Sequence, residues 1–268
     1  MIEPVPGWRY RPISVIAAAP KPPVTDGMVV ICGVQAQHSA RVGLDNIPTG
    51  WYYYFMAREI TPQSPKAGAR QKLLDAAFSL IREKGYSSTS VDALCTQAGV
   101  TKGAFFHHFK SKDALAVAAA NHWSEITGVF FERAPYHRHS DPLDRVLGYL
   151  DFRKAILKGE IAEFTCLVGT LVQEIYGTNP DIREACEASI SGHAAKVEAD
   201  IAEAMKRYRI RAPWTAESLA LHTQAVLQGA FIMAKAKGGA TIAAASIDHL
   251  HRYIELLFQP AKRKTKET

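Results

Sequence analysis

The stretch of this chain that most restricts its fold is residues 90–109, SVDALCTQAGVTKGAFFHHF. Val91, Leu94, Cys95 and Ala98 fall on one face of a short helix, for which the hydroxyls of residues 87–90 offer an N-cap. Gly99 closes that helix, Val100 tucks inward, and Thr101 caps a second short helix over residues 102–109. Cys95 and Ala98 are small enough for the two helices to approach closely. Gly99 tolerates the positive φ that a tight corner demands. Two short helices joined at such a corner make a helix-turn-helix unit.

In such a unit the second helix enters the DNA major groove, and its N-terminal residues meet the duplex first. Here those residues are Thr101, Lys102, Gly103 and Ala104: a hydroxyl, a cation, and two side chains small enough for backbone to approach phosphate. The free amides of the helix start add an anion site. Phe105 and Phe109, four apart, share a face and read as core, which leaves Phe106, His107 and Lys110 outward. Lys102, Lys110 and Lys112 are expected on phosphates, with Ser90 beside them, and Thr101, Ala104, Phe106 and His107 on groove surfaces. His108 is expected to pack at the base of the head. Adjacent histidines on a helix point about 100° apart and cannot close on one ion, so the pair does not imply a metal.

Around this unit the periodicity is helical and strand signals nearly vanish. Leu73, Leu74, Ala77, Leu80 and Ile81 form one stripe of a preceding helix that Gly85 stops, with Asp75, Arg82 and Glu83 expected to face away. Amphipathic stretches follow at 113–133, 141–157, 165–176, 180–207, 215–237 and 243–258, separated by turn and cap residues. The fold class is therefore all-α: a three-helix head over 67–112, then a helical bundle over 113–260. Residues 1–66, broken by prolines and without helical period, read as a disordered extension, with Met56 as the expected true start and a genuine flexible arm as the alternative. Residues 261–268 form a basic tail.

Composition narrows the class of function. With 47% hydrophobic and 22% charged residues the chain can bury a core, and a formal net charge of +6 favours polyanions without choosing among them. The four cysteines, Cys32, Cys95, Cys166 and Cys186, form no CxxC pair, which removes a local zinc cluster or dithiol motif and suits a reducing cytoplasm. No apolar run approaches the roughly 18 residues of a spanning helix. No nucleophile triad, paired carboxylate or phosphate loop has informative spacing, so an enzyme is the weaker reading and neither metal nor cofactor is expected. The loop cluster His137, His139 and Asp141 reads as solvated.

Residues 70–115 resemble the DNA-binding head of the tetracycline-repressor-like (TetR) family. The match lies in its capped S-V helix, A-G-V turn, T-K-G opening and H-F-K-S-K-D-A-L exit. The resemblance implies a regulator, most simply a repressor, that binds a near-palindromic double-stranded DNA operator as a homodimer and releases it when a small-molecule effector enters the core. A regulator without effector control, or an activator, is the alternative. The family usually carries tyrosine where this chain has Phe106, so stacking or van der Waals contact is expected in place of a hydroxyl–phosphate bond. An effector pocket is expected around Trp123, Phe152, Phe164, Cys166, His193 and Phe231, with Glu174 and His222 as further polar contacts. The apolar helices at 214–237 and 247–258 suggest a symmetric four-helix interface, burial within one subunit being the competing reading.

Overall fold

The structure, a computed structural model, describes residues 68–259. The expected extension at 1–66, the start at Met56 and the basic tail at 261–268 lie outside the described residues. Within them there are ten α-helices, one 3₁₀ turn and no strand: α1 (Ala69–Lys84), α2 (Val91–Ala98), α3 (Lys102–His108), α4 (Lys112–Glu132), the turn Pro135–Arg138, α5 (Pro142–Ala155), α6 (Ile161–Phe164), α7 (Leu167–Ile175), α8 (Pro180–Arg207), α9 (Ala216–Lys237) and α10 (Thr241–Leu257). None of these helices is long and apolar enough to cross a membrane.

Local sequence sets most of the boundaries. Ser90, Thr101 and Ser111 each sit in extended backbone before a helix, and their hydroxyls accept from the amides of Ala93, Ala104 and Ala114 at 3.0–3.1 Å. Each cap satisfies a donor that the helix start would otherwise strand. Gly99 ends α2 in the left-handed region at φ 63° and ψ 39°, and the amide of Val100 returns to the carbonyl of Cys95 at 3.0 Å. The expected helix at 165–176 starts two residues later, at Leu167, because Cys166 Sγ accepts from the Gly169 amide and caps α7. The short α6 before it carries a capping box between Glu160 and Glu163.

The head does not have a private core. Phe78, Leu94, Phe105 and Phe109 belong to one apolar cluster that continues through Leu115, Ala119 and Trp123 of α4 to Leu171 and Ile175 of α7 and Ile182 of α8. The boundary expected at residue 112 is therefore crossed by continuous packing, with α4 as the shaft whose first half seats the head. Its far end, Phe131, joins a second cluster with Tyr149, Phe152 and Ile201.

Continuity of the core changes the surroundings of α1. Asp75 and Arg82, expected on an outer face, are 4% and 6% exposed. Arg82 answers burial with partners: its Nε donates to the Phe78 carbonyl at 2.9 Å, Nη1 donates to the Glu163 carbonyl at 3.2 Å, and the guanidinium lies 5.0 Å from the Trp123 ring centroid. Asp75 accepts from Gln71 Nε2 at 2.9 Å, yet burial outweighs that bond and the nearby His122, and its pKa is pushed up to about 6.

That shift yields a first prediction. In the unfolded chain an aspartate titrates near pH 3.9. Between about pH 4 and 6 the folded protein therefore holds a proton that the unfolded chain has lost, so stability falls as pH rises through this window and the full cost persists above it. Asp75→Asn keeps an acceptor for Gln71 without the charge. It should raise stability at pH 7.5 by about 1–3 kcal/mol and change little below pH 4. Thermal melts of both proteins at the two pH values check this; an equal gain at both would refute the titration argument.

Candidate nucleic-acid interface and core cavity

The residues of α3 and those flanking it, 101–110, divide between two environments. Phe105 is fully buried and Phe109 nearly so, and their rings, 6.0 Å apart, anchor the helix to α1 and α2. On the opposite side Thr101, Lys102, Gly103, Phe106, His107 and Lys110 are exposed, and Ala104 is half-buried. Phe106 is 56% exposed, its ring edge-on to Phe105 at 5.1 Å. Ser90, at the start of α2, is exposed as well, its hydroxyl engaged in capping. Lys102 Nζ reaches Asp92 at 2.7 Å between two exposed side chains, a weak contact that solvent screens.

Two expected roles are redirected by packing. Lys112 is half-buried: its ammonium donates to the Tyr86 carbonyl at 3.1 Å and lies 4.0 Å from the Tyr86 ring centroid, so it secures the α1–α2 loop to α4. The Tyr86 hydroxyl in turn donates to Asp113. His108 is on the surface with its ring edge-on to His107 at 4.9 Å; the base of the head is already filled by Phe105 and Phe109.

Trp123, Phe164, Cys166, His193 and Phe231 line a cavity of about 90 Å³ between α4, α5, α6, α7, α8 and α9. Phe152, expected with them, stands behind the wall, packed on Phe130, Phe131 and Tyr136 at ring distances of 5.3–6.0 Å. One helical step of about 100° separates it from Arg153, and it is Arg153 that reaches the cavity. Glu174 does not contribute either: its two carboxylate oxygens accept from the Tyr86 and Ser87 amides at 2.9 Å each. Gly85, at φ 88°, leaves room for this contact, since a Cβ there would collide with the carboxylate. His222 is exposed against the Tyr253 ring, two residues around α9 from the inward Gln224.

Of the polar residues that face the cavity, His193 was expected there, while Arg153, Thr165, Lys196, Gln224 and Gln228 among others were missed by the sequence reading. A faint signal existed: two glutamines, Gln224 and Gln228, lie four apart in a largely apolar helix and share a face. Behind them the Tyr149 hydroxyl accepts from Arg153 Nε at 3.0 Å and from Gln224 Nε2 at 3.2 Å. Its single proton then goes to His193 Nε2, 3.0 Å away, which leaves the imidazole proton on Nδ1. Burial, aided by the charges of Arg153 and Lys196, pushes the His193 pKa down to about 3, so this histidine stays neutral at physiological pH. A second cavity, of about 290 Å³, adjoins the first through Phe131, His193 and Lys196. Among the described residues no group of three His, Cys, Asp or Glu side chains is arranged to hold a metal. His137 makes its ring contact with the Phe131 carbonyl, and Asp141 caps α5.

The last two helices keep an apolar outer face. Their inner sides fill the core through Leu219, Leu227, Phe231, Ile247 and Ile254, yet Leu221, Ile232 and Met233 of α9 and Tyr253 and Leu256 of α10 stay exposed, Leu256 at 63%.

A buried-anchor helix following a left-handed corner, mounted on a helical bundle whose core is continuous with its own, defines a helix-turn-helix protein. The comparisons with known proteins name the family. The model of bacterial regulatory proteins of the tetR family matches residues 73–119, and that of the tetracyclin repressor-like C-terminal domain matches residues 142–250. The chain belongs to the TetR family. The transposon Tn10 TetC protein of Escherichia coli is 30% identical over 129 residues, which are 39% of this chain and 66% of that protein. The chain thus spans just under two thirds of the length of that relative. Among solved structures, a TetR-family regulator from Agrobacterium tumefaciens superposes with a TM-score of 0.62 at 21% identity, over 72% of this chain and 98% of the other. CifR, solved as a cysteine mutant with a 26-bp double-strand operator DNA, gives 0.59 at 20% identity, over 70% and 98%. At these identities the superpositions establish the shared fold.

Proposed function

We propose that this chain is a ligand-responsive transcriptional repressor of the cytoplasm that grips a near-palindromic operator as a homodimer and lets go when a small molecule enters the core cavity. The observation that carries the reading is the division of α3: a helix held by two buried rings offers an exposed phenylalanine, a histidine and two lysines on a surface that no other part of the described fold covers. An exposed aromatic beside cations fits a groove wall of sugar, base edge and phosphate. CifR, which shares the fold, has been solved on operator DNA.

The core has a route to the head. Trp123 and Thr165 wall the cavity; Arg82 of α1 stacks on Trp123 and binds the Glu163 carbonyl two residues before Thr165. Glu174, on the helix that begins beside the cavity at Cys166, holds the Tyr86 and Ser87 amides. A ligand that shifts α4 or α7 thereby moves the head, and in a dimer it alters the spacing of the two recognition helices, set by operator half-sites about 34–36 Å apart. The exposed apolar face of α9 and α10 supports pairing of two copies as a four-helix interface.

A gel-shift titration against DNA flanking the gene tests this. Lys102→Ala with His107→Ala should weaken specific binding on the order of 10- to 100-fold and make the dependence of affinity on salt less steep by about one ion per head. Unchanged sequence-selective binding by the double variant would overturn the assignment of α3.

A further inference from the structure

Among the described residues, two side chains lining the core cavity are cationic, Arg153 and Lys196, and none is a carboxylate. Lys196 already has a counter-ion, Glu132 at 2.5 Å. Arg153 has none among the described residues: its Nε serves the Tyr149 hydroxyl, its guanidinium lies 4.6 Å from the Phe131 ring centroid, and no Asp or Glu comes within ion-pair distance. A half-buried guanidinium held against aromatic rings without a counter-charge is poorly solvated, and its remaining N–H groups form a planar fork that matches two carboxylate oxygens. His193, the other basic side chain on this wall, is neutral and does not compete for the anion.

A second observation is independent of charge. Thr165, 1% exposed, lines the same cavity, and its Oγ1 has no hydrogen-bond partner among the described residues. Buried hydroxyls are nearly always paired, and one left unpaired at a cavity wall marks the place where a ligand acceptor belongs. Phe164 and Phe231, with ring centroids 6.4 Å apart, add an apolar surface to this wall. Size limits the ligand as well. A cavity on the order of 150 Å³ takes benzene, so one of about 90 Å³ admits a short chain, and a ring only where it extends into the adjoining space past His193.

We propose that the core cavity binds a small organic carboxylate, its acid group held by the Arg153 guanidinium and the Thr165 hydroxyl and its apolar body laid against Phe164 and Phe231. The proposal rests on the reading of this cavity as the effector site and specifies its chemistry.

The test uses the full chain with butanoate and benzoate as probes and butanamide and benzamide as neutral counterparts of equal shape. At a hundredfold excess over its dissociation constant, a bound probe raises Tm by roughly 5–10 °C. The carboxylates should do so and the amides should not. Arg153→Met should abolish the shift. Because Arg153 also braces Tyr149, Thr165→Val supplies the control: with an unpaired hydroxyl removed its Tm alone should hold or rise by about 2–4 °C, while carboxylate affinity falls roughly tenfold. Amides that stabilise as well as acids, or a Thr165→Val protein that binds them undiminished, would overturn the proposal, as would the absence of any shift with the four probes. Operator binding without probe, measured in parallel, tells failure of the DNA-binding reading apart from failure of the ligand assignment.

Discussion

A chain carrying Ile232→Glu and Leu256→Glu should be a folded monomer whose operator affinity is at least 100-fold lower than that of the parent. Both side chains are exposed, Ile232 at 46% and Leu256 at 63%, so neither contributes to the core and the subunit fold should survive. In a two-fold dimer each substitution occurs twice, and every carboxylate buried there without a partner costs several kcal/mol. A head with a seven-residue recognition helix makes few base contacts. Tethering two such heads raises avidity by about 10²–10⁴ over a single one, and this is the factor that dissociation removes. Sedimentation velocity at micromolar protein, together with a gel shift, reads both consequences. A double variant that still sediments as a dimer would remove α9 and α10 from the interface, and a monomer that binds operator undiminished would remove the need for a dimer.

The head was legible because its signals are local. Ser90, Gly99 and Thr101 act on residues within one turn of themselves, and the structure finds each where capping and turn chemistry require it. The periodic stretches in the bundle were legible for the same reason. What sequence could not give is which element covers which face. Asp75 and Arg82 obey an amphipathic pattern that reads as surface, but α4, α6 and α7 close over that side of α1 and bury them. Lys112 looks like a free cation at a helix start until Tyr86 is brought beneath it from 26 positions earlier. The cavity wall is the extreme case: Phe152 and Arg153 are neighbours, and only the rotation of α5 in the bundle decides that the ring goes inside the protein and the guanidinium toward the cavity. Hydrophobicity ranks them in the opposite order, which is why an aromatic inventory proposed Phe152 and passed over the charge.

The split of α3 into a buried and an exposed side predicts that two adjacent phenylalanines fail in different ways. Phe105 is wholly buried in the cluster that joins α1, α2 and α4, and its removal leaves a cavity as well as lost burial, about 3–5 kcal/mol for Phe→Ala. A seven-residue helix has no stability of its own in water, so α3 depends on Phe105 and Phe109 for its existence as a helix. Phe105→Ala should therefore lower Tm by roughly 6–20 °C, free the amides of α3 to exchange, and abolish specific DNA binding, while leaving any association through the α9–α10 face intact. Phe106→Ala, at a ring 56% exposed, should shift stability by no more than about 0.5 kcal/mol and still weaken operator binding if, as proposed, the contact it loses is with the duplex. Melting curves and gel shifts of the two proteins side by side separate anchor from contact. If Phe106→Ala destabilises as much as Phe105→Ala, the exposed side of α3 is part of the fold; if it leaves operator affinity unchanged, the ring plays no part in reading DNA.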